Sequence, residues 1–135
     1  RGTPAADYTE HVDAARMQMR ELAGTLPVRF LPNVTVGWDA SPRTVQSDVY
    51  EDLDQYPFTG ILTGGTPDAF AAQLAHARDW ADATPDAHGI VTINAWNEWT
   101  EGSYLEPDLD HGMGFLEAIR RELGAPQSGA RARPS

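Results

Sequence analysis

Hydrophobic and polar residues are spaced along the chain in a way that predicts three helices and two strands. Apolar residues recur every three or four positions in segments 7–24, 66–83 and 112–124, as on one buried helix face. Segments 27–38 and 88–96 are rich in strand-forming residues and are bounded by proline or glycine. The predicted order is therefore helix, strand, loop, helix, strand, loop, helix.

The helix ends carry recognisable capping residues. Thr66 is a predicted N-cap, and Pro67 occupies the first helical position, where a missing amide hydrogen costs nothing. Gly24 and Gly124 are predicted to end the first and last helices. The predicted buried faces are Val12, Ala15, Met19 and Leu22 in the first helix, Phe70, Leu74, Ala77 and Ala81 in the second, and Leu116, Ile119 and Leu123 in the third.

The second strand divides its residues between two faces. Val91, Ile93 and Ala95 fall on the apolar face, and the opposite face carries polar groups. Pro32 predicts that the first strand ends or bulges there, and residues 39–59 predict a long loop. Alternating elements favour an α/β fold with parallel strands, and the two-faced strand fits a (β/α) barrel, whose active sites follow its strand ends.

Composition narrows the possible functions. The 135 residues suit one domain, and a formal net charge of -10 argues against nucleic acid or an anionic membrane as partner. Cysteine is absent, which excludes disulfides and thiolate metal sites, and no apolar run of about 18 residues predicts a membrane span. The four histidines lack metal-ligand spacing, so we predict no metal and no cofactor.

The stretch TINAWNEWTEGSYLEPD, residues 92–108, carries the candidate chemistry. Glu98 and Glu101 stand three residues apart just beyond the second strand, where a turn can bring both carboxyls to one side. Glycoside cleavage requires such a pair, with one group protonating the leaving oxygen and the other acting as nucleophile or base. Because two close carboxylates resist ionising together, we expect one of them to keep its proton near neutral pH.

Aromatic and amide side chains surround the two glutamates. Trp96, Trp99 and Tyr104 offer flat apolar faces for sugar rings, and Asn94 and Asn97 offer hydrogen bonds for hydroxyls. The alternative is a solvated acidic loop whose tryptophans belong to the core, since aromatic residues most often pack inside. Composition and periodicity leave both interpretations open.

Three sequence blocks resemble one protein family. INAWNEWTEGSYLEPD (93–108), GMGFLEAI (112–119) and, upstream, PNVTVGWDASPR (32–43) are similar to blocks of the glycoside hydrolase family 99-like proteins, which include the bacterial WbsX-type proteins. The blocks occur in the family's order and spacing, and the resemblance covers about residues 27–123. It implies that residues 1–124 form the C-terminal part of a (β/α)8 TIM-type barrel, an incomplete barrel on their own.

The resemblance also implies roles for particular residues. Glu98 would be the base that deprotonates the sugar's own 2-hydroxyl, and Glu101 the acid that later activates water. Trp38, Asp39 and Arg43 would line the substrate cleft. The implied activity is endo-acting, retaining cleavage of an α-mannoside-like oligosaccharide or polysaccharide.

One residue of the motif departs from the characterised hydrolases. They usually have histidine at the position of Thr100, whereas the WbsX-like branch has small residues there. Glu106 is predicted to be structural or substrate-binding rather than the catalytic acid. Two alternatives to hydrolysis remain: a non-catalytic or degenerate carbohydrate-binding segment, and a WbsX-like protein of polysaccharide biosynthesis.

The sequence is predicted to be part of a longer protein. It begins without methionine, and a complete barrel needs ~250 residues. We therefore expect a missing N-terminal barrel half, or another chain, to complete the core, and we expect this chain alone to be weakly stable and inactive. Residues 125–135 are predicted to be a disordered polar tail, and the acidic run at 48–54 a solvated face.

Overall fold

The structure, a computed structural model, describes residues 4–44 and 55–124. The predicted acidic face at 48–54 and the predicted tail at 125–135 lie outside the described residues. In chain order the elements are β1 (Ala5–Asp7), α1 (Tyr8–Thr25), β2 (Asn33–Thr35), a 3₁₀ turn (Ser41–Arg43), β3 (Ile61–Thr63), α2 (Pro67–Ala83), a second 3₁₀ turn (Pro85–Ala87), β4 (Thr92–Asn94), β5 (Asn97–Glu98), a third 3₁₀ turn (Trp99–Glu101), β6 (Ser103–Tyr104) and α3 (Gly114–Leu123).

The three predicted helices are all present, and their caps follow local chemistry. Thr66 accepts a hydrogen bond from the Ala69 amide and Pro67 opens α2, so both predictions for this helix start are confirmed. The prediction that Gly24 ends α1 is wrong. The helix runs on to Thr25, and the Leu26 amide closes it by donating to the Leu22 carbonyl at 2.9 Å.

The strands are shorter than predicted and pair in parallel. β2 lies beside β4 with Val34 opposite Ile93, and β1 lies beside β3, two strands that the sequence pattern did not reveal. The Leu62 amide donates to the Trp38 carbonyl at 2.8 Å, which joins the two pairs. Parallel pairing of the two predicted strands is therefore confirmed, with α2 in the connection between them.

The core lies between β2, α2 and α3. Phe70 and Leu74 of α2 are fully buried, and the Phe70 ring meets Phe115 of α3 edge-to-face at 5.6 Å. The predicted face of α2 is confirmed, since all four of its residues are buried. The predicted face of α3 is confirmed in part: Leu116 and Ile119 pack against the core, whereas Leu123 is exposed. The fully buried residues of α3 are Phe115 and Ala118, which the prediction did not include.

A buried tyrosine fastens α1 to this core. The Tyr8 hydroxyl donates to the Thr35 carbonyl at 2.6 Å and lies 2.8 Å from the Gln73 side-chain oxygen. Both side chains are buried, so the contact satisfies polar groups that water does not reach. Within residues 4–44 and 55–124, no helix combines the length and apolarity that crossing a bilayer requires.

Candidate active site

The two predicted catalytic glutamates stand at either end of one tight turn. Glu98 is the last residue of β5, the 3₁₀ turn ends at Glu101, and β6 returns antiparallel to β5. Gly102 closes the turn with φ +59°, a conformation that only glycine adopts without strain. A spacing of three residues thus places both carboxylates at the same end of a hairpin.

Arg43 contacts both glutamates. One guanidinium nitrogen, Nη2, donates to Oε2 of Glu98 at 2.8 Å, and Nε lies 3.6 Å from Oε1 of Glu101. Nε also donates to the Thr100 hydroxyl at 2.8 Å. The planar guanidinium therefore spans the turn and engages three of its side chains, which a compact ammonium group cannot do.

Each glutamate keeps one carboxylate oxygen without a hydrogen bond inside the described part of the chain. These are Oε1 of Glu98 and Oε2 of Glu101. The Glu98 side chain is 42% exposed and that of Glu101 only 16%. The pair is thus held from one side and open on the other, with the two carboxylates in unequal contact with solvent.

Backbone contacts hold the loop after β2 against the hairpin. The Asp39 amide donates to the Glu101 carbonyl at 2.6 Å, and a side chain at Gly37 would collide with the Gly102 carbonyl. The Asp39 carboxylate accepts from the Ser41 amide at 2.9 Å and so starts the turn that carries Arg43. The predicted cleft residue Asp39 therefore positions the loop rather than pointing an unpaired carboxylate outward.

Trp99 and Tyr104 form a stacked pair beside the glutamates. Their ring centroids lie 3.8 Å apart with planes 16° from parallel, and the Trp99 indole donates to Glu106 at 2.6 Å. Partial burial raises the pKa of the Tyr104 phenol, and the neighbouring Asp108 carboxylate raises it further. Trp99 remains 45% exposed, so the stack presents an indole held in place by its neighbours.

A cavity of about 240 Å³ adjoins this stack. Trp38, Asp39 and Tyr104, three of the predicted substrate-binding residues, lie in its wall together with Asp108 and His111. Neither Glu98 nor Glu101 lines it, and both of their side chains contact Arg43 instead. The candidate site therefore has two parts, a carboxylate pair and an adjacent polar cavity.

Three predicted site residues contribute less directly to this arrangement. The Asn94 amide donates to the Ser103 hydroxyl at 3.2 Å, so its side chain serves the hairpin. Asn97 is exposed, and its backbone pairs with Tyr104. Trp96 is 54% exposed, and its carbonyl accepts from the Leu105 and Glu106 amides.

Two contacts of the glutamate pair were not anticipated from the sequence. The Tyr56 hydroxyl donates to Oε1 of Glu101 at 2.8 Å, and the Thr100 hydroxyl accepts a hydrogen bond from Nε of Arg43. Tyr56 lies in a segment without periodicity, 45 residues from its partner, so no local pattern indicates the contact. The side chain of Thr100 faces Arg43 because it lies on the same turn as the two glutamates.

Comparison with known proteins places these features in a family. The family model described as glycosyltransferase WbsX matches residues 2–119, well over half of the chain. The chain belongs to the WbsX family. The prediction of a WbsX-like protein is confirmed, and the family is one of carbohydrate-active proteins.

Relatives of this WbsX-family chain occur in Xanthomonas campestris pv. campestris. The uncharacterized protein WxcX of strain ATCC 33913 is 35% identical over 114 residues, and that of strain B100 is 36% identical over 111 residues. The matches cover 79% and 77% of this chain but 15% and 14% of those proteins. The chain thus spans about one seventh of the length of these curated relatives. No solved structure matches it.

Proposed function

We propose that the protein carrying this chain is a retaining, endo-acting glycoside hydrolase that uses Glu98 and Glu101 on an α-mannoside-like oligosaccharide or polysaccharide. The observation that carries the proposal is the contact of Arg43 with one oxygen of each glutamate. The other oxygen of each accepts no hydrogen bond from residues 4–44 and 55–124. Two carboxylates oriented together in this way match what cleavage of a glycosidic bond needs.

In the proposed first step, Glu98 takes the proton of the sugar's 2-hydroxyl and the resulting oxygen attacks C1. The bond from C1 to the leaving oxygen breaks, and Glu101 gives that oxygen its proton. In the second step Glu101 takes a proton from water, which opens the three-membered ring at C1, and Glu98 returns its proton to the 2-oxygen. All bonds and protons balance, and the configuration at C1 is retained after two inversions.

The setting of the pair supports a sugar as substrate. Trp96 and Trp99 are about half exposed beside the glutamates, and flat indole faces pack well on sugar rings. Polar groups of Asp39, Asp108 and His111 line the neighbouring cavity. Carboxylates outnumber cations among these residues, which favours a neutral sugar over an acidic one.

We also propose that the chain contributes the C-terminal part of a (β/α)8 barrel. The parallel pairs β1–β3 and β2–β4 are compatible with such a sheet, and the functional loops follow β2 and β4. Barrel enzymes carry their active sites in the loops that follow the strands. The remaining strands would come from the rest of the protein.

Glycosyl transfer is the second candidate, favoured by the description of the matching family. The same two carboxylates would serve it if Glu101 activated a sugar hydroxyl in place of water. The first step is shared, and only the acceptor differs. The two candidates are therefore separated by their products.

The test uses the full-length protein that carries this chain. It is incubated with α-mannan oligosaccharides and with bacterial polysaccharides, and the products are followed by mass spectrometry and by reducing-end formation. Hydrolysis releases shorter products with new reducing ends, whereas transfer yields elongated products. We expect Glu98→Gln and Glu101→Gln each to lower kcat by at least about 1000-fold while substrate binding persists.

The matched control is Glu21→Gln, which makes the same change on the exposed surface of α1 and should leave kcat unchanged. Wild-type activity in Glu98→Gln or in Glu101→Gln would refute the assignment of that residue. Binding without turnover by the wild-type protein would instead support a non-catalytic carbohydrate-binding segment.

A further inference from the structure

Tyr56 reaches the glutamate pair from outside the motif that carries it. It stands in a tight turn in which the Phe58 amide donates to the Gln55 carbonyl at 2.7 Å. Its hydroxyl donates to Oε1 of Glu101 at 2.8 Å, a good length for a hydrogen bond to a carboxylate. The turn thus places the Tyr56 hydroxyl against one of the two carboxylate oxygens of Glu101.

The ring of Tyr56 lies between two other residues of the site. The Arg43 guanidinium carbon is 6.0 Å from its centroid, and the Trp38 ring is 6.4 Å away at 49°. Partial burial raises the pKa of the Tyr56 phenol, and the hydrogen bond to Glu101 raises it further. The phenol therefore keeps its proton near neutral pH and acts as a donor.

The two oxygens of Glu101 have different surroundings. Oε1 accepts the Tyr56 hydroxyl and lies 3.6 Å from Arg43, while Oε2 makes no hydrogen bond within residues 4–44 and 55–124. A proton transferred to or from substrate therefore travels through Oε2. We propose that Tyr56 is a positioning residue for Glu101, occupying Oε1 so that Oε2 faces the reacting sugar.

This inference rests on the proposed function, because it gives Glu101 the role of proton donor. A purely structural role for Tyr56 is disfavoured by its position. The side chain is 52% exposed and lies outside the core, so its hydroxyl adds little to folding. Tyr56→Phe removes only that hydroxyl and leaves the ring beside Trp38 and Arg43.

In the full-length protein we expect Tyr56→Phe to lower kcat roughly 3- to 10-fold, the size of one hydrogen bond, with KM within about twofold. The split between kcat and KM is the kinetic readout, because a phenol that served only the fold would lower Tm and leave kcat unchanged. Tyr8→Phe is the matched control: it removes a phenol hydroxyl from the core and should lower Tm while leaving kcat unchanged.

A second readout needs no activity. Subtracting the ultraviolet titration curve of Tyr56→Phe from that of the wild-type protein isolates the Tyr56 phenol. When the same difference is measured in the Glu101→Gln background, the midpoint of the Tyr56 titration should fall toward the ordinary tyrosine value. An unchanged midpoint of the Tyr56 titration in the Glu101→Gln background would overturn the proposal, whether or not the wild-type protein is active. So would a kcat that Tyr56→Phe leaves unchanged.

The meaning differs if the midpoint of the Tyr56 titration falls but the protein neither cleaves nor transfers a glycan. It would support the positioning of Glu101 by Tyr56 and count against the proposed reaction. The two failures are therefore distinguishable.

Discussion

Arg43 is the residue whose replacement best tests the geometry of the glutamate pair. Arg43→Lys keeps the positive charge but replaces a planar fork with a point charge, which cannot contact Glu98, Glu101 and Thr100 together. We expect kcat in the full-length protein to fall roughly 10- to 100-fold, since a small misplacement of reacting groups is costly. Steady-state kinetics on the substrate of the wild-type protein measures this.

The control for that change is Arg20→Lys on the exposed side of α1, which should leave both kcat and Tm unchanged. If Arg43→Lys retained full activity, charge alone would suffice and the bridging geometry would have no catalytic importance.

Gly102 provides a second test, because its replacement acts on backbone and contact together. A Cβ there would lie 2.9 Å from the Asp39 Cβ and would have to accept φ +59°. Gly112 has a similar φ of +55° but open space around it, so Gly112→Ala imposes the backbone strain alone. We expect Gly102→Ala to reduce kcat and Tm clearly more than Gly112→Ala does. Equal effects on kcat would mean that the contact with Asp39 does not position the pair.

The glutamate pair was recognisable in the sequence, whereas its partners were not. Glu98 and Glu101 lie in one motif, so their proximity follows from a turn. Arg43 was expected in the cleft as a substrate ligand, yet its guanidinium contacts the carboxylates of Glu98 and Glu101, 55 and 58 residues away in the chain. Contacts between side chains so far apart in sequence depend on the tertiary fold and leave no local signal.

Of the three helices, α2 has the most buried residues and is the one whose weakening should cost most. Leu74 is fully buried against β2 and α3, so Leu74→Ala should lower the free energy of unfolding by about 2–5 kcal/mol. Leu109→Ala makes the same change at a fully exposed position and should stay within about 0.5 kcal/mol. Urea titration followed by circular dichroism compares them, and equal losses would contradict the observed core.

Helices were more predictable here than strands for a physical reason. The start of α2 is indicated by two consecutive residues, Thr66 and Pro67, and by the apolar periodicity that follows them. By contrast, β1 and β3 have three residues each and pair across 56 positions, with Ala5 opposite Ile61. A strand that short has no period to detect, and its partner decides whether it forms. The burial of Phe115 in α3 likewise depends on the ring of Phe70.

The whole molecule should lose stability in acid in two separate windows. Burial lowers the pKa of His76, and the charges of Arg16 and Arg20 lower it further. Below the ordinary value of 6.5 the unfolded chain therefore binds more protons than the folded one, so the free energy of unfolding falls as pH decreases from there. The pKa values of Asp7 and Asp108 are lowered mainly by hydrogen bonds to the carboxylates, so their contribution is lost only below about 3.8.

Measuring Tm between pH 7 and pH 3 checks this prediction. His76→Gln should flatten the decline just below pH 6.5 and leave the decline below pH 4 in place. A His76→Gln profile that parallels that of the wild type would rule out His76 as its source.

Because Arg43 contacts both glutamates, Glu98 and Glu101 are energetically coupled. Removing either carboxylate frees a guanidinium nitrogen of Arg43 to contact the other carboxylate. The second substitution is then made in a rearranged site, so the free-energy changes of the two substitutions do not add. Such coupling has a consequence for divergence among relatives. A lineage that abandons one glutamate also relaxes selection on its partner and on Arg43, so we expect the three residues to be kept together or lost together.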